Sequence, residues 1–504
     1  MKKAVYNVML ITIIAKILGF GREILLSYFY GASGISDAYL ISQTIPGTIF
    51  QFVGTGLATS FIPVYMKVKN EQGNEKSDYF TNTVTTAVLI FSTVVMVAVC
   101  LFTEPIVKLF AKGFTGQTLQ YAIVFTRMGI LSLLFSAMIY VFNSYLQANG
   151  VFSIVAFVAI PNSILIMVSI VLGAKIHLLA LPIGSLLAVF AQLLILWPAM
   201  MKKNYHLRPN CGFRDPYVKE VIYLMIPVVI GVSVNQINVL VDRTIASQVA
   251  VGGISALIYA DSLILFVQGI FSQSIATVYY PPITELAETK KTEELKGLIN
   301  EALGSMAFIL MPVMIGCIVL GTGIVRMLYG RGAFDAEAIR LTGTALSFYG
   351  VGIVGYGFRE ILSRVFYAYH DTKTPMLNAM AGMAINIVLN LTLSRVLGIG
   401  GLALATSVSS IVTAVLLYIH LKKRIGNVFY HKMIREFLKM FLSSLIMGVI
   451  VWLSYNFVEG QLGYFAGVAA SIVIGIIVYF GLAKVLGITI YLKLLDMLKS
   501  KMHR

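Results

Sequence analysis

Apolar residues run along this chain in long blocks separated by short polar breaks. The blocks fall at 5–30, 37–66, 79–103, 118–146, 151–173, 178–201, 217–248 and 254–284. Six more follow at 297–321, 337–369, 375–394, 399–420, 437–456 and 462–486. Each reaches the roughly 20 residues that cross a bilayer as a helix, so the pattern predicts an all-α polytopic membrane protein with about fourteen transmembrane helices. Several blocks exceed that length and are expected to tilt, kink or project beyond the hydrocarbon. Pro46, Pro161, Pro182, Pro227 and Pro312 lie inside blocks and are the candidate kink sites.

Composition sharpens the picture. Of 504 residues, 58% are hydrophobic and only 12% charged, against roughly 25% charged in soluble chains, and the mean hydropathy is +0.87. Soluble enzymes, disordered chains and disulfide scaffolds are excluded. The 43 glycines and 13 prolines are dispersed through the apolar blocks, as membrane helices tolerate. Cys100, Cys211 and Cys317 show no metal-like spacing, and the six histidines stand singly near block ends. No metal site and no cofactor are therefore expected. Met1-Lys2-Lys3 before an apolar run resembles a signal peptide, but the run has no Ala-x-Ala site and continues through Lys16, Arg22 and Glu23. It is expected to be a retained first span.

The formal charge of +16 would raise nucleic-acid binding in a soluble protein. Here the loop lysines and arginines divide 23 to 7 when the N-terminus is placed inside, so most of the excess is a topology signal. Both termini are expected in the cytoplasm, and nucleic acid is not a partner. The richest inner stretches are Lys202-Lys203, Arg208, Arg214 and Lys219, then Lys422-Lys423-Arg424, Lys432 and Arg435. In the tail, 488–503, Leu494, Leu495, Leu498 and Met502 fall near one helical side, which suits a helix lying along the inner membrane surface.

The first twelve spans look duplicated. Gly34-Ile35-Ser36 recurs as Gly253-Ile254-Ser255, Ala58-Thr59 with Pro63 as Ala276-Thr277 with Pro281, Asn162 as Asn386, and Leu179-Ala180-Leu181 as Leu402-Ala403-Leu404. The offsets are 219, 218, 224 and 223. Spans 1–6 would repeat as 7–12, giving lobes at 1–215 and 216–430, with two extra helices and the tail at 431–504. An even number of spans per copy makes the repeat parallel about an axis along the membrane normal, a common transporter design.

Charges inside the blocks need a reason, because an ionised group at mid-bilayer costs about 2.5–3.5 kcal/mol on insertion scales. Lys16 lies 11 residues into its block, about 16 Å deep, with Arg22 and Glu23 farther along. Arg127 stands in span 4, Asp242-Arg243 in span 7, Asp261 in span 8, and Arg359-Glu360 with Arg364 in span 10. Glu360 and Arg364 are spaced for an intrahelical pair. Asp37, at the start of span 2, is placed to cap that helix, and Asp261 has a structural reading of the same kind. Asn235, Asn238 and Asp242 share one face of span 7. Lys16, Arg22, Arg243 and Arg359 are expected to line a polar cavity, with Glu23, Asp37, Asn235, Asn238, Asp242, Glu360 and Arg364 supporting or gating it. Guanidinium groups bind phosphate in a bidentate manner, so such a cavity, open sideways to lipid, suits a lipid-linked sugar diphosphate whose tail stays in the bilayer.

At these residues the chain resembles a known family. Lys16-Ile17-Leu18-Gly19-Phe20-Gly21-Arg22-Glu23, Tyr30-Gly31, Ser36-Asp37-Ala38, Pro46 and Phe61-Ile62-Pro63 are similar to the start of the MurJ (MviN) lipid II flippases, within the multidrug/oligosaccharidyl-lipid/polysaccharide (MOP) exporter superfamily. Tyr259-Ala260-Asp261, Gly332-Ala333-Phe334 and the run from Phe366 through His370-Asp371-Thr372-Lys373-Thr374 to Pro375 extend the resemblance over about residues 5–425. It implies two six-helix lobes plus two helices that help form a groove for the lipid tail. It also implies essential basic residues at Lys16 and Arg22, a functional aspartate at Asp37, and a bacterial cytoplasmic membrane. The implied function is transport, not catalysis: lipid II passes from the inner to the outer leaflet by alternating access, in peptidoglycan synthesis. Cell-wall synthesis proteins are possible partners, and membrane potential or a monovalent cation a possible energy source. Two departures stand out. Gly47-Thr48-Ile49-Phe50-Gln51 and Ser262 occupy places where many members carry arginine, and Arg243 is the candidate substitute. The rivals are a flippase for another polyprenyl-diphosphate oligosaccharide and a cation-coupled drug exporter. An intramembrane enzyme lacks any supporting motif here.

Overall fold

Uninterrupted apolar sequence leaves the backbone only one way to satisfy its own hydrogen bonds in lipid, which is to coil. The computed structural model describes residues 2–203, 205–429 and 431–502, and among these it contains helices and no strand. The first half comprises α1 (Lys2–Tyr30), α2 (Gly34–Leu101), α3 (Thr103–Phe110), α4 (Gly116–Gly129), α5 (Ser132–Ala148), α6 (Ser153–Phe157), α7 (Ala159–Lys175) and α8 (Ala180–Met201). There follow α9 (Pro216–Val249), α10 (Gly253–Val267), a π-helical turn at Gln268–Ser272, α11 (Gln273–Glu288), α12 (Thr292–Tyr329), α13 (Ala336–Val351) and α14 (Ile353–Ala368). The chain ends in α15 (Lys373–Leu397), α16 (Ile399–Ile425), α17 (His431–Val485) and α18 (Thr489–Met502).

Nine helices among the described residues are long and apolar enough to cross a membrane, and eleven if two bent pairs each count as one span. α2 and α17 are double. Each breaks at a glycine, Gly73 (φ 81°) and Gly463 (φ 83°), in the left-handed region that costs glycine nothing. Counting their halves separately, and adding α1, is compatible with the fourteen expected.

The breaks between helices fall elsewhere than at the prolines. Spans 4 and 10 bend by 44° and 45° between α4 and α5 and between α13 and α14, at breaks marked by Gly129 and Gly352. Pro161 and Pro182 lie in the first turns of α7 and α8, where the missing N–H would be unbonded anyway. The helices bearing Pro46, Pro227 and Pro312 are continuous through them.

The chain divides into two compact units. One comprises residues up to Ser255 with Arg331–Phe334, the other Ala256–Gly330 with Asp335 onward. By contacts, then, α9 groups with the first unit, where it packs on α2. The first unit has a core around Phe61, Tyr65, Phe80, Phe142 and Tyr145. The second packs Phe308, Met440, Met447 and Tyr479 together. Outside both, large apolar side chains such as Leu442, Val449, Trp452 and Leu453 are exposed, a surface suited to lipid.

The tail is helical as expected. Glu436 accepts from the Thr489 backbone N–H at 2.8 Å, and Lys493 reaches Glu301 at 3.0 Å. The side chains of Leu494, Leu498 and Met502 lie outside the described residues.

Candidate functional site

The first unit carries the cations of α1 and α9. Lys16 is exposed, while Arg22, Glu23, Asp242 and Arg243 are half-buried. Among the described residues none of Lys16, Arg22 and Arg243 is in an ion pair. Arg22 stands near the Tyr39 phenol, itself hydrogen-bonded to Ser185 at 2.7 Å. The Arg243 Nε is buried without a hydrogen-bond partner. The polar face expected on span 7 is present in part. Asn238 Nδ2 donates to Asp242 Oδ2 at 3.4 Å, and Asn235 is exposed. A guanidinium group that meets no carboxylate among the described residues has donors left with which an anion can be bound.

Asp37 does not cap its own helix. Ser33 does that, through a capping box with Ser36. The Asp37 carboxylate, 1% exposed, instead serves the start of α10, far along the chain. Oδ2 accepts from Gly252 N at 2.9 Å, and Oδ1 from Ser255 N and Ser255 Oγ, both at 2.7 Å. A negative charge on the unpaired N–H groups of a helix start is favourable. Ser36 Oγ also meets Ser255 Oγ at 3.2 Å, so the two copies of the Gly-Ile-Ser motif touch each other. A cavity of about 50 Å³, lined by Asp37, Thr115, Thr118 and Ser247, adjoins the carboxylate and has room for water. The arrangement is a latch between span 2 and the beginning of span 8. The sequence held one hint of it, since the second copy has Ala256 in place of the aspartate.

The second unit carries the charges of span 10. The expected pair forms: Arg364 Nε donates to Glu360 Oε1 at 3.0 Å. Arg364 also donates to Gln273 Oε1 at 3.1 Å and lies over the Tyr280 ring at 5.6 Å. Gln273 was not foreseen. It follows directly on the π-helical turn, a local change of register of the kind frequent at functional sites. Arg359 lies over Tyr356 at 5.2 Å and makes no ion pair among the described residues.

Two charges take bland roles. Arg127 is exposed at the last turn of α4, its Nε 3.3 Å from Thr103 Oγ1. Asp261 is half-buried in α10. The run ending in Pro375 is a turn into α15, where Asp371 accepts from Thr374 N at 2.9 Å and Thr374 Oγ1 at 2.8 Å and pairs with Arg424 at 3.0 Å. The hydrogen bonds from Thr374, with Arg424 beside them, hold this carboxyl below the ordinary range. Among the described residues no group of three or more His, Cys, Asp or Glu is placed to hold a metal ion.

Comparison with known proteins gives one answer. The family model described as "Lipid II flippase MurJ" matches residues 26–473. The lipid II flippase MurJ of Burkholderia cenocepacia is 26% identical over 501 residues, 96% of this chain and 97% of that protein. A solved lipid II flippase MurJ in an inward closed conformation superposes with a TM-score of 0.82 at 26% identity, over 95% of this chain and 98% of that one. An inward-facing multidrug resistance MATE transporter of the MOP superfamily follows at 15% identity and a TM-score of 0.67, over 84% and 98%, a likeness of fold alone.

Proposed function

The chain belongs to the MurJ family of lipid II flippases, and from that premise we propose how its own residues handle the cargo. It is a multi-pass membrane transporter of lipid II, the lipid-linked precursor used in peptidoglycan synthesis. In our reading Lys16, Arg22 and Arg243 of the first unit and Arg359 of the second bind the diphosphate. The observation that carries this is that, among the described residues, none of the four is in an ion pair. The cations read as structural have a polar partner of their own, Arg364 in Glu360 and Arg127 in the Thr103 hydroxyl. Here a bidentate phosphate contact would replace the water the headgroup loses on entering the bilayer.

Glu23, Asn235, Asn238, Asp242, Glu360 and Arg364 orient those cations, and Asp37 gates. While its carboxylate holds the start of α10, spans 2 and 8 are fastened at that end; releasing it would free them to part. We take 1–215 and 216–430 as the lobes that rock, 431–504 as the appended pair and tail, and both termini as cytoplasmic. Transport runs from the inner to the outer leaflet, and the energy comes from the membrane potential or a monovalent cation.

Gly47–Gln51 and Ser262, uncharged where many members carry arginine, favour a second reading in which the headgroup is another polyprenyl-diphosphate oligosaccharide. Complementation separates the two. Cells depleted of their own lipid II flippase should grow when this chain is expressed. Failure, with the protein present in the membrane, would transfer the assignment to the rival.

A further inference from the structure

Within the second unit a cavity of about 430 Å³ opens between α12, the α13–α14 pair, α16 and α17. Its walls are apolar, with Phe358, Leu362, Ile411, Tyr418, Phe429 and Phe437 among them. The one hydroxyl in that set points its hydrogen bond elsewhere, from Tyr418 to Asn427 at 2.7 Å. The cavity is half-open rather than enclosed, and the volume is that of an ordinary ligand pocket. Unfilled, such walls would forgo dispersion contacts on one side.

Two observations bear on the occupant. The first sets the cavity apart from the Glu360–Arg364 pair. Phe358 and Leu362 are one turn apart on α14 and face the cavity, whereas Glu360 and Arg364 each follow by two residues, roughly 200° round the helix. The cavity and the Glu360–Arg364 pair therefore lie on opposite sides of α14. Arg359, the cation of this helix that our reading gives to the diphosphate, follows Phe358 by one residue, roughly 100° round the helix, so the cargo's own tail is kept as an outcome of the test.

The second is charge. Lys422 stands one turn beyond Tyr418 on the same face of α16, and Arg435 follows Ile434, a lining residue on the opposite wall. Both cations are exposed. Neither is in an ion pair among the described residues, in contrast to Arg424, which Asp371 holds at 3.0 Å. Both stand at the end of the bundle that the charge asymmetry places on the inner side, where anionic lipid headgroups are attracted to basic clusters beside the spans.

We propose that this cavity receives one acyl chain of an anionic diacyl phospholipid, its phosphate resting on Lys422 and Arg435. The lipid would be a resident of the second unit and not cargo. It would wedge the first half of α17 against α12, α14 and α16.

Native mass spectrometry of the full chain released from detergent micelles tests this, with phosphatidylglycerol as the anionic probe and phosphatidylcholine of the same chains as the neutral one. Wild-type protein should keep one phosphatidylglycerol under conditions that strip phosphatidylcholine. Val415→Trp and Ile434→Trp, which fill the cavity from two walls at positions already exposed, should each weaken that binding at least tenfold. Lys422→Gln with Arg435→Gln should abolish the preference for phosphatidylglycerol and leave phosphatidylcholine binding unchanged. Wild-type retention of phosphatidylglycerol in both filled variants, or equal affinity for the two lipids in the native chain, would overturn the proposal. So would one-for-one displacement by undecaprenyl diphosphate, which would assign the cavity to the cargo's tail. The measurement reads lipid retention, so its failure would leave the transport reading where it stands.

Discussion

Spans 4 and 10 have the same backbone and different chemistry. Both bend, by 44° and 45°, at glycines 223 residues apart, within the range of offsets that relates the two copies. Beyond the bend they part company. α5 has no charged residue along its length, and Ala137, Val141 and Phe142 are sealed in the core of the first unit. α14 carries Arg359, Glu360 and Arg364 on a partly open face. The bend is common to both spans, while beyond it only α14 carries ionic side chains. In the first unit, among the described residues, Lys16 and Arg22 of α1, Arg127 of α4 and Arg243 of α9 are in no ion pair, and Arg127 donates to the Thr103 hydroxyl. The two units therefore differ in which spans carry their charges.

The most forceful way to break the comparison is to give span 4 the charge of span 10. Val141→Arg buries a guanidinium with no carboxylate on its helix and should cost at least about 2.5–3.5 kcal/mol, read as a lowered unfolding temperature in detergent. An unchanged temperature would show that α5 also borders a polar space. A smaller effect sharpens the bend itself. A Cβ at Gly352 would stand 2.6 Å from Ser407 Cα, whereas at Gly129 the nearest atom is Ser42 O at 3.2 Å. Gly352→Ala should therefore cost about 1–3 kcal/mol, as overpacking does, and Gly129→Ala clearly less; equal losses would mean that close approach does not set the two bends. The smallest concerns the exits. α5 is followed by Gly150 at φ 76°, α14 by His370 at φ 57°, and a non-glycine residue in that region costs roughly 1–2 kcal/mol. His370→Gly should raise stability by up to about 1 kcal/mol, and a loss would reveal a role for the imidazole.

Much of this was legible in the chain. Apolar length gave the spans, helical spacing gave the Glu360–Arg364 pair, and depth within the blocks singled out Lys16, Arg22, Arg243 and Arg359. The two bends marked by Gly129 and Gly352 were missed because proline is the loudest local signal. A bend caused by a glycine pressed against a neighbouring helix is invisible until that neighbour is known. The same holds for Asp37. Locally, Ser33, Ser36 and Asp37 are all good caps, and nothing nearby says that the aspartate reaches residues 252 and 255. Gln273 escaped notice because a π-helical turn has no sequence signature, yet it sets where that amide meets Arg364.

The central claim is that cations without carboxylate partners grip the diphosphate. Its most direct test is the rate of headgroup transfer in proteoliposomes containing Arg22→Ala or Arg243→Ala, with reconstituted amount and melting temperature measured alongside. The expected result is loss of transfer in both, with insertion and stability close to wild type. Wild-type transfer in both variants would contradict the claim, and the two side chains would then belong to the architecture of the spans alone.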